Sequence, residues 1–479
     1  MVSIKKNFVY SSALTIANYI FPLIIYPYIS RVLGVTNVGI YNFVDSIINY
    51  FILFSMMGIN TMALREVAKS KDNKQTLSNT FSNILILNTI STIIVLIVLL
   101  VLTFTIPKLT EYKDMMLIGG VKVLFNYLLI EWLYKGLENF RYITLRTISV
   151  KLFYVISVFI FVHKADDYPI FYLLTTIMTV VNAIINLLHS RKYVTFKLSN
   201  INLKPYLSSF FILGFYALLT STYIAFNIMY LGFVSGETEV GYYTTATKLQ
   251  YIILALYSAF TGVMLPRLSS LYAQNEIDEV KRLCHKSVDI LFLFIFPLIV
   301  LTTAFAPQII TILAGSGYEK SIPLLQISAP LLFIIGYEQI LVIQILMSMK
   351  KDKAVMINSS LASIVAIIGN ILIVPRLQSL GSIIVWILCE LTVFISANLF
   401  AKKYIQFLFP FKKLAKYILV ALPIFVIAYF ISKINILHIF SIMIGTAVVF
   451  VYYFVVYVVI MKNDFILSLL DKVRIRIHR

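Results

Sequence analysis

Charge is what this sequence has least of. Asp, Glu, Lys and Arg make up 13% of its 479 residues, about half the share usual in soluble domains. Apolar residues supply 60%, and the mean hydropathy is +0.92. Aqueous cores cannot bury that much apolar surface, so the solvent must be lipid, and soluble enzymes and secreted modules are excluded. Cysteine is nearly absent. Cys284 in a polar stretch and Cys389 in an apolar one leave no disulfide framework and no CxxC metal site. The five histidines include no HxxxH or HExxH spacing, which removes the common zinc patterns. In GSGYEKS, Gly315 to Ser321, Glu319 stands where a phosphate-binding loop needs glycine before its lysine. No cofactor is expected, and nothing marks an enzyme. The apolar stretch after Lys5 and Lys6 lacks a small-x-small cleavage pattern, so it reads as a span rather than a removable signal.

What is present is a succession of apolar stretches long enough to cross a membrane. They fall at 8–30, 40–63, 79–104, 115–134, 143–162, 168–189, 207–231, 241–265, 287–306, 322–348, 354–374, 381–400, 416–432 and 438–461. These fourteen spans predict an all-α polytopic membrane protein. Its connections are short, the longest running from Arg267 to Lys286. Taken alternately, the connections on one side hold 30 Lys and Arg and those on the other hold seven, while Lys122, Lys151 and Lys248 fall within spans. Basic residues collect on the cytoplasmic side, so both termini are expected there. The net charge of +19 then reports topology and contact with anionic lipid, not nucleic-acid binding.

A repeat is visible at a shift of 202 residues. GVTNVGIY (Gly34 to Tyr41) returns as GETEVGYY (Gly236 to Tyr243), and Arg65 falls on Arg267. An even number of spans separates the copies, so they share an orientation. Two parallel six-span lobes, residues 1–204 and 205–413, are expected, with 414–479 adding two spans and a basic tail.

Polar residues fall in stripes on the first two spans of each lobe. Ser11, Thr15, Asn18 and Pro22 share one face of span 1, and Tyr216, Thr220, Tyr223 and Asn227 repeat the spacing in span 7. Span 2 carries Asn42, Asp45 and Asn49; span 8 carries Thr244, Lys248 and Tyr251. Interhelical hydrogen bonding and a hydrated cavity between lobes both produce such stripes. Charges inside spans are functional candidates by default. Asp45, Lys122, Lys248, Glu338 and Glu390 lie well inside, whereas Glu131, Lys151 and Asp289 lie near enough to span ends to snorkel. Arg31, at the outer end of span 1, suits either role. Pro22 and Pro27 are candidates to kink that span.

PYISRVLGVTNVGIYNFVDSIINYFILFSMMGI (Pro27 to Ile59) with REVAKSKDNK (Arg65 to Lys74) resembles the opening of bacterial polysaccharide repeat-unit flippases of the Wzx type. EWLYKGLENFRYIT (Glu131 to Thr144), LAGSGYEKSIPLLQI (Leu313 to Ile327) and NILIVPRLQSLGSIIVWILCE (Asn370 to Glu390) are similar to three further segments of that family. Lys135 stands where a glutamine is common, and Ser382 and Ile383 where small alanines are usual. The resemblance covers roughly the first 400 residues. It implies the two-lobe, MATE-like architecture of the multidrug, oligosaccharidyl-lipid and polysaccharide exporter superfamily. It also implies movement of undecaprenyl-pyrophosphate-linked oligosaccharide across the bacterial inner membrane, for O-antigen or capsule, alongside polysaccharide polymerase and chain-length proteins. A cation-coupled drug exporter and a membrane glycan polymerase are the alternatives. On this reading Arg31, Lys122 and Lys248 meet the pyrophosphate, and Asn18, Asn49, Tyr216, Tyr223 and Tyr251 meet sugar. Asp45, Glu338 and Glu390 serve as coupling-ion sites or charge partners, and Asp45 is expected to hold Lys248 when the cavity is empty.

Overall fold

A computed structural model describes residues 4–198 and 201–461. Among the described residues every regular element is a helix. The first repeat is built from α1 (Ile4–Met56), α2 (Ile59–Ser70), α3 (Lys74–Thr105), α4 (Pro107–Glu111), α5 (Lys113–Asn126), α6 (Glu131–Gly136), α7 (Phe140–Phe161) and α8 (Tyr168–Ser190). Then follow α9 (Lys204–Ser235), α10 (Glu237–Ala273), α11 (Ile277–Ala304), α12 (Ala306–Ala314), α13 (Ser321–Ser328) and α14 (Leu331–Gln339). The chain ends with α15 (Asp352–Ile405), α16 (Phe411–Ser432) and α17 (His438–Val455).

Among the described residues nine helices are long and apolar enough to cross a membrane, or up to 12 when three bent pairs are each taken as one span. Two of the nine, 58 and 54 residues long, far exceed the roughly 20 residues a bilayer needs. Each contains one non-helical residue, Gly34 in α1 and Gln378 in α15, and each is a hairpin of two spans. With both hairpins counted twice, the fourteen expected passes are all present among the described residues. Side-chain partners trace the reversal in α1. Before Gly34, Thr144 Oγ1 donates to the Tyr10 carbonyl and Tyr28 Oη to the Val162 carbonyl, so the chain follows α7 from one end to the other. After Gly34 it returns until Gly58 donates its N–H to the Phe210 carbonyl near the start of α9. Only glycine readily adopts φ +74°, ψ 168°. Pro22 and Pro27 leave α1 helical around them.

Helices overrun several expected boundaries. The stretch from Arg267 to Lys286 is mostly helix, since α10 continues to Ala273 and α11 starts at Ile277. Cys284 is therefore a buried helical residue, not a loop residue. The fourth span is broken at Ile130, whose φ of +38° separates α5 from α6. Asn73 and Asn139 start α3 and α7 by accepting backbone N–H groups that have no helical partner.

The chain divides into two compact units, residues 1–244 with 356–392 and residues 245–355 with 393–479. The first contains the whole first repeat, α9, the start of α10 and the hairpin of α15. The second has an aromatic core in which Phe292, Phe296, Phe333, Tyr337 and Tyr417 stack edge to face and tilted. α16 and α17 belong to that core through Tyr417 and Tyr453.

Candidate substrate and coupling site

Inside the first unit the repeat copies touch each other residue for equivalent residue. Thr36 and Thr238, 202 positions apart, share a hydrogen bond of 2.9 Å. A Cβ on Gly39 would lie 1.8 Å from the Glu237 carbonyl oxygen, and one on Gly241 would lie 2.2 Å from that of Val35. Glu237 is the repeat partner of Val35 and Gly241 that of Gly39, so the contact has local two-fold symmetry. Gly236 reproduces the backbone of Gly34 at φ 87°, ψ 170°. The glycines of the motif are thus needed for one backbone reversal and one helix crossing in each copy. Around the crossing, Lys108 Nζ meets Glu237 Oε1 at 2.5 Å and Glu111 Oε2 at 3.3 Å. Phe43 packs edge to face on Phe233 at 5.2 Å, and Ser379 Oγ donates to Glu239 Oε2 at 2.5 Å. Hydrogen bonds, an ion pair and rings together seal this junction.

Nine residues beyond Thr36, α1 carries Asp45. Its Oδ1 accepts from Lys122 Nζ of α5 at 2.5 Å, and its Oδ2 accepts from Asn49 Nδ2, one turn on, at 2.9 Å. α5 comes this close because Gly119 has no side chain: a Cβ there would meet Ile48 Cγ1 at 2.4 Å and Tyr172 Oη at 2.8 Å. The ammonium lies 5.8 Å from the centre of the Tyr172 ring, a cation–π distance. Tyr41, Tyr154 and Tyr172 all lie within electrostatic reach of the Asp45 carboxylate. The result is a nearly buried, charge-balanced pair walled by phenol rings. Asp45 therefore finds its lysine within its own repeat. The sequence pointed to Lys248 as the partner, and Lys122 holds Asp45 instead, because which lysine reaches the carboxylate depends on how closely α5 packs, which spacing does not encode.

Other expected site residues have varied surroundings. Asn18 is exposed and accepts from Lys151 Nζ at 2.7 Å. The Arg31 guanidinium donates to the Pro27 carbonyl at 2.6 Å. Glu390 is buried and takes the Trp386 indole N–H at 2.9 Å; Glu338 is buried in the second unit. Lys248 is half-buried and Tyr251 exposed, both in the second unit, and Tyr216 is half-buried in the first. The side chain of Tyr223 lies outside the described residues. Asn227, on the same stripe, accepts from Asn370 Nδ2 at 2.6 Å and is buried, so that part of the stripe packs helices together. Among the described residues no group of three or more His, Cys, Asp or Glu could hold a metal ion.

Residues 4–272 match a family described as "Polysaccharide biosynthesis protein". The chain belongs to that family. A protein of Escherichia coli (strain K12) provisionally named O-antigen transporter is 27% identical over 378 residues, 76% of this chain and 89% of that protein. A Shigella dysenteriae protein of the same name is 26% identical over 58% of this chain and 70% of its own. In fold, the chain is similar to the lipid II flippase MurJ in an inward closed conformation. The TM-score is 0.74 at 15% identity, covering 94% of this chain and 98% of that one. An inward-facing multidrug resistance MATE family transporter of the MOP superfamily gives a TM-score of 0.59 at 12% identity, covering 85% and 95%. These relatives are named as transporters and flippases, not as enzymes.

In this family member, three in-span charges that looked free to snorkel are engaged with other side chains. Glu131 pairs with Lys135 at 3.0 Å and Arg146 at 2.8 Å, Lys151 reaches Asn18, and Asp289 pairs with Lys413. Arg146 stands at the edge of the expected span 143–162 and is counted with the cations of the connection before it. It is the seventh residue of α7 and its side chain is only 4% exposed. The one available signal was the spacing of Lys151 and Arg146 after Glu131 in a segment that opens a helix.

Proposed function

We propose that this multi-pass membrane protein is a polysaccharide transporter. It moves an undecaprenyl-pyrophosphate-linked oligosaccharide from the cytoplasmic to the outer leaflet of the bacterial inner membrane by alternating access. Family membership and the transporter relatives support the substrate class, and the likeness to MurJ and MATE folds supports the two-lobe organisation, 1–204 and 205–413 with 414–479 appended. The need is physical: each unpaired hydroxyl costs on the order of several kcal/mol in hydrocarbon, so a sugar headgroup requires a hydrated path. Its lipid tail requires the opposite. An apolar cavity of about 670 Å³, lined by Phe51, Phe54, Val98, Phe226, Met229 and Ile367 among others, lies in the first unit and suits an isoprenoid chain. On this reading Asn18, Asn49, Tyr216, Tyr223 and Tyr251 meet sugar along the path, and Arg31 and Lys248 guide the anion. Asp45, with Lys122 as its resting partner, and Glu338 and Glu390 answer for coupling.

The observation that carries this proposal is the two-fold junction at Thr36 and Thr238. A path closed there must open there to deliver its cargo. In cells whose own transporter is deleted, Thr36→Cys with Thr238→Cys should deliver surface polysaccharide when reduced. Oxidation should stop delivery and cause lipid-linked repeat units to accumulate. Normal delivery by a fully cross-linked protein would defeat alternating access through this junction.

A further inference from the structure

A charge cluster runs from α6 to the middle of α7, and the transport reading above gives it no role. Glu131 is surrounded by three cations. Lys135 Nζ lies 3.0 Å from its Oε2, and Arg146 Nη2 lies 2.8 Å from its Oε1. Lys151 lies within the electrostatic reach of the same carboxylate. One carboxylate answers three positive groups, so two positive charges are in excess. The Arg146 guanidinium is buried, yet only one of its nitrogens is engaged: Nη2 also donates to Thr147 Oγ1 at 2.9 Å, while Nε and Nη1 are buried without a partner. A guanidinium has five N–H donors arranged to grip two oxygens at once, and leaving buried charged donors bare is costly. Lys151 has three donors and gives one of them to Asn18, on the exposed polar face of α1. A cluster serving only to join helices would be expected to balance its charge.

We propose that Arg146, Lys151 and Lys135 form the entry site for a pyrophosphate headgroup, which carries about two negative charges. The proposal rests on the transport reading and adds a place to it. The cluster lies in the half of the membrane where α7 begins, with Thr144 beside Tyr10. That is the side on which basic residues accumulate, hence the leaflet from which cargo must be collected. Bound oxygens would take the bare donors of Arg146, and Asn18 would pass from Lys151 to the first sugar. Glu131 holds the arginine fork in place while the site is empty. It is set by a strained turn, since Ile130 just before it is buried and β-branched with φ +38°.

The test uses the full-length protein in lipid nanodiscs and three probes: farnesyl pyrophosphate, farnesol and inorganic pyrophosphate. Farnesyl pyrophosphate should bind saturably, farnesol should not, and inorganic pyrophosphate should bind at least about tenfold more weakly because it lacks a tail. Arg146→Gln and Lys151→Gln should each weaken farnesyl pyrophosphate binding by about tenfold or more. Lys151→Arg should stay within about threefold of the parent because the charge survives, and Lys433→Gln, at an exposed lysine far along the chain, should change little. Arg146 is buried and its variant can fail to fold, so Lys151→Gln, at a half-buried position, decides alone in that case. Variants that bind like the parent would overturn the entry site and leave the transport reading standing. Equal binding of inorganic and farnesyl pyrophosphate would overturn the assignment to a lipid headgroup. A parent protein that cannot distinguish farnesyl pyrophosphate from farnesol would overturn both.

Discussion

Two clusters of charge lie within the first repeat, and they are built in opposite ways. Asp45 and Lys122 form a closed account: one acid, one base, an amide on the second carboxylate oxygen, and phenol rings around them. Glu131 with Lys135, Arg146 and Lys151 is open, with more cation than anion and buried donors left bare. The difference lies in stoichiometry. A balanced pair joins α1 to α5 and offers little to an arriving anion. An unbalanced one holds its helices and still has charge to offer.

The largest effect should come from unbalancing the closed pair. Lys122 and Asp45 have side chains only 15% and 19% exposed, and removing one partner of a nearly buried pair leaves the other charge stranded. Asp45→Ala should therefore destabilise the protein by about 3 kcal/mol, seen as a lower midpoint in thermal unfolding in detergent. Asp45→Leu combined with Lys122→Met should recover most of that loss, because an apolar pair replaces the ions without stranding either. If Asp45→Ala unfolds like the parent, the pair is not structural, and the contrast between the clusters collapses.

A second change closes the open cluster instead. Lys151→Glu gives the group two acids and two bases, which should remove its attraction for a pyrophosphate. Surface delivery of polysaccharide should fall by about tenfold or more, while the amount of folded protein in the membrane stays near normal. Undiminished delivery would make the excess charge incidental.

The contrast between these clusters was only half legible beforehand. The fourteen passes were visible because each needs a long apolar stretch to cross lipid as helix, and the repeat was visible because Gly34 and Gly236 hold a backbone conformation that few other residues tolerate. Asp45 stood out as an acid where acids are costly. Its partner did not, because the pairing with Lys122 depends on Gly119 admitting α5 against Ile48, a close approach that no helical period encodes. Arg146 was hidden differently. It follows a polar stretch, so the sequence read it as connection, whereas Asn139 starts α7 seven residues earlier and carries the arginine into the packed interior. Hydropathy marks where helices can be; caps and small residues decide where they begin and what they touch.

The smallest effect is expected at the junction of the repeats, where the balance tips the other way: Lys108 faces two acids, Glu237 and Glu111, with Tyr112 donating to Glu111 and its ring 5.4 Å from the ammonium. Burial works to lower the pKa of Lys108, but the two carboxylates outweigh it and hold the group above its ordinary value. A cation with a raised folded pKa contributes its stability in full below the unfolded value, about 10.4, and loses it only as pH rises through the folded one. The contribution should therefore be constant from pH 6 to pH 9. Because Lys108 is 28% exposed at the edge of the membrane, it should also be small, below about 1 kcal/mol. Lys108→Gln should lower the unfolding midpoint slightly and equally at both pH values. A difference from the parent that grows between pH 6 and pH 9 would mean that Lys108 titrates in that window, and the junction would then be a pH-sensitive latch instead of one indifferent to pH.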